Sequence, residues 1–537
     1  MRVRAFLFFL LLSGLWPINA SAHNRFIVRY TAGFDALQQA CVALGCSVIS
    51  SVDAQNQHQV FLVTAPRNID PAFILAALAN TPGVTDAESD QAVVLMPGLN
   101  QTATIPTGLS DGSSVQYFGA AVRNGYVNQP AAQIVRVSEA QSTFNVAGSG
   151  IVADIDTGVD PNHPALQGVL LPGWDFTRNQ AGGSEMTDLQ APLTSPPPCA
   201  DCPAAVVNQS TAAVLDQSTA AVLDGNPEYA AFGHGTMVMG AIHLVAPQAK
   251  LLPLKTFRSD GTGFLSDILS AIYFAVQNQA SVINMSFDLK TKSHELSKAL
   301  DFANQQNVIC IASVGNDGAM EIVYPAALQN DVMGVASTSD LDQRSTFSNF
   351  GDAIVWVAAP GEAIISTYPF GSYGAAWGTS FSAPFLAGAA ALLLDQKPST
   401  NEPQAAAAVA HAVPVGPDMG NGRLDLVHAL AANGGQPGDF CIAKTHRRKA
   451  RIHRCHRETF TFKVTALQGF TGTVDLSVTG LPLNTSADFD PPSITGSGSF
   501  ALTLRVDEDA QPGSYNLTVT GKSGALAHSV AIELHVR

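Results

Sequence analysis

Three kinds of periodicity follow one another along the chain. Residues 24 to about 97 alternate short apolar runs with helical ones. Phe26–Tyr30 predicts a strand, Phe34–Leu44 a helix, Val48–Val52 and Gln59–Thr64 strands, Pro71–Ala79 a helix, and Ala92–Leu95 a last strand. The order β-α-β-β-α-β is the ferredoxin-like pattern. From about 150 to 394 the strand candidates become near-continuous apolar runs: Ile151–Ile155, Lys250–Lys255, Val282–Met285, Val308–Val314, Val332–Ala336 and Ala353–Ala358. Strands of a parallel sheet covered on both faces read this way. The amphipathic helices Leu265–Gln277 and Ser293–Gln305 between them complete a doubly wound α/β pattern. Past Gly434-Gly435-Gln436-Pro437-Gly438, a linker by composition, apolar and polar residues alternate strictly. Phe460–Val464, Val474–Val478 and Tyr515–Val519 are examples, separated by Gly, Pro and Asn turns. Short alternating strands at regular spacing predict a β-sandwich.

The first residues follow none of these patterns. Arg2 and Arg4 precede the apolar run Ala5–Trp16 and the small-residue site Ala20-Ser21-Ala22, which reads as a signal peptide. The run is too short for a membrane anchor, so export is expected: a secreted, extracellular protein, or one held in a periplasm or at a cell surface. Composition agrees. Only 13% of residues are charged, and 45 Gly and 31 Pro suit a loop-rich secreted chain. A net charge of −15 argues against a nucleic-acid partner, which would need a broad basic face. A length of 537 residues exceeds one core and implies two or three domains.

Export also permits disulfides. Of seven cysteines, Cys41 with Cys46, Cys199 with Cys202, and Cys441 with Cys455 are local pairs, while Cys310 lies in an apolar run and reads as an inert buried thiol. A lone Cys-x-x-Cys is weak evidence for zinc, and no metal site is expected. Two segments resist the periodicity. The octapeptide QSTAAVLD occurs twice in tandem, at 209–216 and 217–224, and reads as a duplicated surface loop. A basic cluster of Lys444, Arg447, Arg448, Lys449, Arg451 and Arg454 lies between Cys441 and Cys455, offering contact with an anionic envelope or matrix.

The chemistry is carried by three words in fixed order: Asp156-Thr157-Gly158, Gly233-His234-Gly235-Thr236 and Gly378-Thr379-Ser380. A serine hydroxyl needs a base within reach and a third group that fixes the base's tautomer. Asp156 ends a buried strand, where a carboxylate is rarely placed for packing. His234 stands between glycines that let backbone and substrate approach. Ser380 precedes the small-residue helix Phe385–Leu394, whose start offers unpaired N–H groups. Asp-Thr-Gly is also the signature of aspartic proteases, but these need two such carboxylates, and no second copy occurs. Nor is Ser380 in a Gly-x-Ser-x-Gly elbow, because Ser382 stands where the second glycine would.

The ordered words, with Ala312-Ser313-Val314-Gly315-Asn316 and Ala358-Ala359-Pro360-Gly361, resemble the subtilases, the subtilisin-family serine endopeptidases. The resemblance covers the first domain and roughly residues 120–430. It implies a secreted endopeptidase acting on polypeptides through Asp156, His234 and Ser380, with an acyl-enzyme intermediate. Asn316 and the Ser380 N–H would form the oxyanion hole, and Ser286, Phe287, Asp288 and Gly315 would bind substrate. Val282-Ile283-Asn284-Met285-Ser286 resembles the edge strand that pairs with an extended substrate. The stretch from Phe73 to Leu95 resembles the end of a subtilisin-type propeptide, which would inhibit the enzyme intramolecularly until removed. The last domain resembles the immunoglobulin-like domains appended to secreted bacterial hydrolases.

The expected order is therefore signal peptide 1–22, propeptide 23–97, a linker with the maturation region at 98–122, peptidase domain 123–433, linker 434–440 and sandwich 441–537, in a monomer without cofactor. Many relatives bind structural calcium, but no acidic loop here has a recognisable ligand spacing. Three positions depart from the family. Asp288 stands where it usually has Gly, Val323 stands near the floor of the specificity pocket, and Asp154 adds a carboxylate two residues before Asp156, on the same strand face. A sedolisin-type acid peptidase would carry Glu in place of His234. An idle binding protein would not need the full triad.

Overall fold

A computed structural model describes residues 23–53, 58–66, 68–95, 106–189, 205–207, 212–215, 229–434, 439–444, 450–467, 470, 472–523 and 526–537. The predicted signal peptide, Cys199, Cys202, the second QSTAAVLD copy and part of the basic cluster lie outside them. Among the described residues no helix is long and apolar enough to cross a membrane.

The chain divides into two compact units, Met1–Gln91 and Ala92–Arg537. In the first, β1 (His23–Tyr30), α1 (Phe34–Leu44), β2 (Ser47–Ser51), β3 (Val60–Pro66), α2 (Pro71–Ala79) and β4 (Val84–Ser89) form an antiparallel sheet in the order β2-β3-β1-β4. Helix α2 starts where it does because the Asp70 side chain accepts from Ala72 N and Pro71 needs no partner at the first turn. One face of the sheet packs Phe26, Val28, Phe61 and Val63 against Leu37, Ile74 and Leu78 of the helices. The last strand of this sheet is β4, not Ala92–Leu95 as the pattern suggested. Residues 84–89 have little apolar alternation, and their pairing with β1 comes from tertiary position.

In the second unit an eight-stranded sheet runs Gln180–Ala181, Trp174–Asp175, Lys250–Lys255, Ile151–Asp156, Val282–Met285, Ile309–Ser313, Met333–Thr338, Val357–Pro360. All neighbours pair in parallel except the first two. Sequence order reverses between Ile151–Asp156 and Val282–Met285, the switch point beside which open α/β sheets place their ligand crevice. Asp156 is the last residue of the first of these strands. The helices His234–Val245 and Ala383–Gln396 are buried along nearly their whole length, and the second is rich in alanine accordingly.

Three expectations need correction. Val282–Met285 is not an edge strand: it pairs with Ile151–Asp156 on one side and Ile309–Ser313 on the other, leaving no free backbone. Ala212–Leu215, from the first QSTAAVLD copy, is not loop but a strand antiparallel to Ser372–Ala376. Cys41, Cys46 and Cys455 are free thiols, so neither Cys41 with Cys46 nor Cys441 with Cys455 is a bonded pair. Cys310 is buried, and that burial pushes its thiol up, as expected of an inert core residue. Beyond residue 438 a four-stranded and a five-stranded sheet enclose Phe440, Phe462, Phe500, Leu502 and Leu517.

Candidate active site

The strand Ile151–Asp156 delivers its last carboxylate, fully buried, to the crevice. His234 begins the helix His234–Val245, and its Nδ1 lies 2.8 and 2.9 Å from the two Asp156 oxygens. A ring whose Nδ1–H is held by a carboxylate presents Nε2 as the basic nitrogen. Close approach is required here: a Cβ on Gly235 would lie 2.1 Å from Gly158 O and 3.1 Å from Asp156 Oδ1, so only glycine fits after the histidine.

The loops around this pair are tied together by side chains that carry no recognisable word. Glu185, 1% exposed, accepts from Gly233 N at 2.7 Å, from Thr157 Oγ1 at 3.3 Å and from Thr236 Oγ1. It therefore joins the segment after Asp156 to both ends of the His234 turn. Burial pushes its carboxyl up to about 8, against hydrogen bonds from Thr236 and Gly233 and the charge of Lys255. Lys255, fully buried, donates to Thr157 O at 2.9 Å, Phe257 O at 2.6 Å and Asp188 Oδ2 at 2.7 Å. Arg178 bonds the other Asp188 oxygen and, at 3.0 Å, Asp175. Glu185 sits in an unremarkable loop and was missed. Lys255 was legible only as a lysine ending an apolar strand.

Ser380 stands in the 3₁₀ turn Thr379–Phe381, directly before the helix Ala383–Gln396, and the ring of Phe381 lies 5.3 Å from that of His234. The Ser380 hydroxyl donates to Ser286 O at 3.1 Å rather than to the histidine, a loose arrangement common before substrate binds. Asn316 is brought to the same place. Its Oδ1 accepts from Thr379 N at 2.8 Å and Thr379 Oγ1 at 3.0 Å, which leaves the Nδ2 hydrogens as its donors.

The predicted substrate-binding residues also converge. Ser286 Oγ donates to Ser380 O at 2.9 Å, Phe287 is buried against Phe257, and Asp288 lies across from Gly315. Gly315 has φ +90°, and a Cβ there would lie 2.2 Å from Asp288 Oδ2, so the carboxylate bridges the space between the two walls. That oxygen is buried without a hydrogen-bond partner. Burial, with the charges of Asp317 and Glu321, pushes the Asp288 carboxyl up to about 6 although Lys290 opposes it. Leu289 and Tyr324 exchange backbone bonds of 2.7 and 2.9 Å, which sets buried Val323 behind this wall.

Thr262–Phe264 is a short strand that leads into the helix Leu265–Gln277. Strand β5 (Ala92–Val94), at the start of this unit, pairs with it antiparallel, Val94 opposite Thr262 and Ala92 opposite Phe264. Leu95 N donates to Gly261 O at 2.9 Å. Val93 and Leu95 are buried and Val94 is exposed, the alternation of a peptide added to an edge.

Sequence comparison agrees with this geometry. The profile described as the subtilase family matches residues 148–438, just over half of the chain. Thermitase from Thermoactinomyces vulgaris is 33% identical over 274 residues, covering 50% of this chain and 84% of the relative. The thermophilic serine proteinase of Bacillus sp. (strain AK1) is 31% identical over 245 residues, covering 46% of this chain and 52% of that protein. Subtilisin BL from Lederbergia lenta is 36% identical over 181 residues, 32% of this chain and 66% of its own.

Proposed function

The chain belongs to the subtilase family of serine-type endopeptidases, and from that premise we propose that Asp156, His234 and Ser380 are its triad. The observation that carries the proposal is the two-oxygen hold of Asp156 on His234 Nδ1, beside the nucleophile's helix start. Ser380 Oγ leaves Ser286 O, attacks the substrate carbonyl and passes its proton to His234 Nε2. Asn316 Nδ2 and the Ser380 N–H receive the negative charge that develops on the carbonyl oxygen. The imidazolium then protonates the departing amine, and water cleaves the Ser380 ester by the same route. These steps use protein groups and water. Ser286, Phe287, Asp288 and Gly315 receive the side chain preceding the scissile bond.

The seating of Ala92–Leu95 on the Thr262–Phe264 strand supports a second part of the reading: residues 23–97 act as an inhibitory propeptide. In this reading the enzyme is exported, cuts itself within 98–122 and works as a monomer. The basic cluster between 444 and 454 would then attach the C-terminal domain to an anionic envelope.

The test expresses wild type and Ser380→Ala, follows the precursor's size and location, and labels both with a serine-directed phosphonate. Wild type should shorten and label while the variant stays full length and unlabelled. Equal processing of both, with no labelling, would overturn the catalytic assignment.

A further inference from the structure

One buried carboxylate has no part in the steps above. Asp154 lies on the face of Ile151–Asp156 that also carries Asp156, is 1% exposed, and stands opposite Asn284 in the strand register across the switch point. Asn284 Nδ2 donates to Asp154 Oδ1 at 2.9 Å and to Ser286 Oγ at 3.0 Å. Ser286 Oγ donates to Ser380 O, and Ser380 Oγ donates back to Ser286 O. A chain of hydrogen bonds thus runs from Asp154 to both the backbone and the hydroxyl of the nucleophile.

Two atoms in this chain have no partner: Asp154 Oδ2 and Asn284 Oδ1. Both are acceptors if the carboxyl is ionised, and both belong to residues already joined through their other halves. A single proton on Oδ2 satisfies the pair, closing a ring of two hydrogen bonds between acid and amide. The surrounding charges favour that proton. Asp156 lies on the same strand, and the other acid nearby, Glu185 in the turn Glu185–Asp188, brings no positive charge. His234 is held by Asp156, and Lys255 spends its donors on Asp188, Thr157 and Phe257, so neither side chain reaches Asp154. Asn284 on the other neighbouring strand is neutral. Burial first, then the charge of Asp156, pushes the Asp154 carboxyl well above the usual carboxylate range.

We propose that Asp154 is an un-ionised acid in the folded enzyme, paired at two points with Asn284, and that this pair positions the Ser286–Ser380 contact on which the nucleophile depends. Asp154 is a positioning residue, and its role rests on the reading of Ser380 as nucleophile. Loss of its proton at high pH sets Oδ2 against Asn284 Oδ1 as two bare acceptors and breaks the ring. Activity should then fall on the alkaline side through kcat rather than KM.

The experiment compares wild type with Asp154→Asn and Asp154→Ala. Asparagine offers an N–H where the acid offers an O–H, so the ring persists and no longer titrates. D154N should keep kcat within about threefold at neutral pH and lose the alkaline fall. D154A should lose about tenfold in kcat, the size of one buried hydrogen bond, with KM within about twofold. Infrared spectra of Ser380→Ala, with and without D154N, supply a readout independent of activity: the carbonyl band of an un-ionised acid should vanish with the substitution, leaving that of Glu185. No lost band, a D154N variant as impaired as D154A, or an unchanged alkaline limb would each overturn the proposal. A lost band in an enzyme whose Ser380 fails to label would instead sink the nucleophile assignment and leave the acid–amide pair standing. Should D154A fail to fold, D154N and the infrared band still decide.

Discussion

The two sides of the crevice are built differently. On the Asp156–His234 side, Thr157, Glu185, Thr236 and Lys255 pair with named partners, and the loops are joined by bonds crossing from one to the next. On the Ser380 side, Asp154 Oδ2, Asn284 Oδ1, Asp288 Oδ2 and Ser382 Oγ are buried without partners. In the proposed mechanism a base and its orienting carboxylate must hold one geometry throughout the reaction, so full pairing suits them. The other wall must receive substrate and release product, and its unpaired atoms await either a proton or a ligand. The difference locates rigidity in one half and chemical selectivity in the other.

Four changes would break or sharpen this contrast. Ser380→Ala should have the largest effect, lowering kcat by about a millionfold, the scale known for the nucleophile of subtilisin itself. Single-turnover kinetics with an ester substrate would measure it. Asn316→Leu comes next, with a loss of about 10²–10³ in kcat and little change in KM, again the scale known from subtilisin. A larger change in KM than in kcat would mean that Asn316 holds ground-state substrate instead.

Glu185→Gln should cost about tenfold in kcat, because the amide nitrogen has no lone pair to accept from the Thr236 hydroxyl, as either oxygen of the acid has, and the His234 turn loosens. Its pH signature has a definite sign. The folded-state carboxyl is raised from 4.5 to about 8, so the folded protein holds a proton that the unfolded chain releases. This contribution to stability is fully present below about pH 4.5 and is lost as pH rises toward 8. Thermal unfolding across that window should therefore show a smaller decline in E185Q than in wild type. Of similar size, but confined to some substrates, is the effect of Asp288→Gly, on the selective wall. Removing the bridging carboxylate should raise kcat/KM for large apolar side chains before the scissile bond by about tenfold. The gain should be greatest above pH 6, where the wild-type carboxyl is charged. If aromatic and small substrates respond equally, Asp288 does not face the substrate.

The legibility of the site follows the same divide. Asp156, His234, Ser380 and Asn316 stood out because the proposed chemistry needs particular residues in short contexts, and the structure brings all four to one crevice. Parallel strands were readable because burial on both faces demands continuous apolar runs. The position of Val282–Met285 was not, since a buried edge and a buried centre have the same composition. Strand β4 was hidden for the opposite reason: its mixed residues pair with β1 without any apolar alternation. Glu185 carried no signal at all, because its partners are backbone and hydroxyl groups distant in sequence.

By itself the sequence determined the α/β class, the order of the words around Asp156, His234 and Ser380, and the presence of Asp154 and Asp288. Those are properties of local pattern and residue chemistry. Only the tertiary structure decided that Asp154 meets Asn284, that Asp288 bridges to Gly315, and that Ala92–Val94 joins Thr262–Phe264 rather than the first sheet. The reason is physical. A hydrogen bond or a desolvated charge depends on which groups the fold brings within about 3 Å, and strand register across a sheet is invisible to the spacing of residues along one strand.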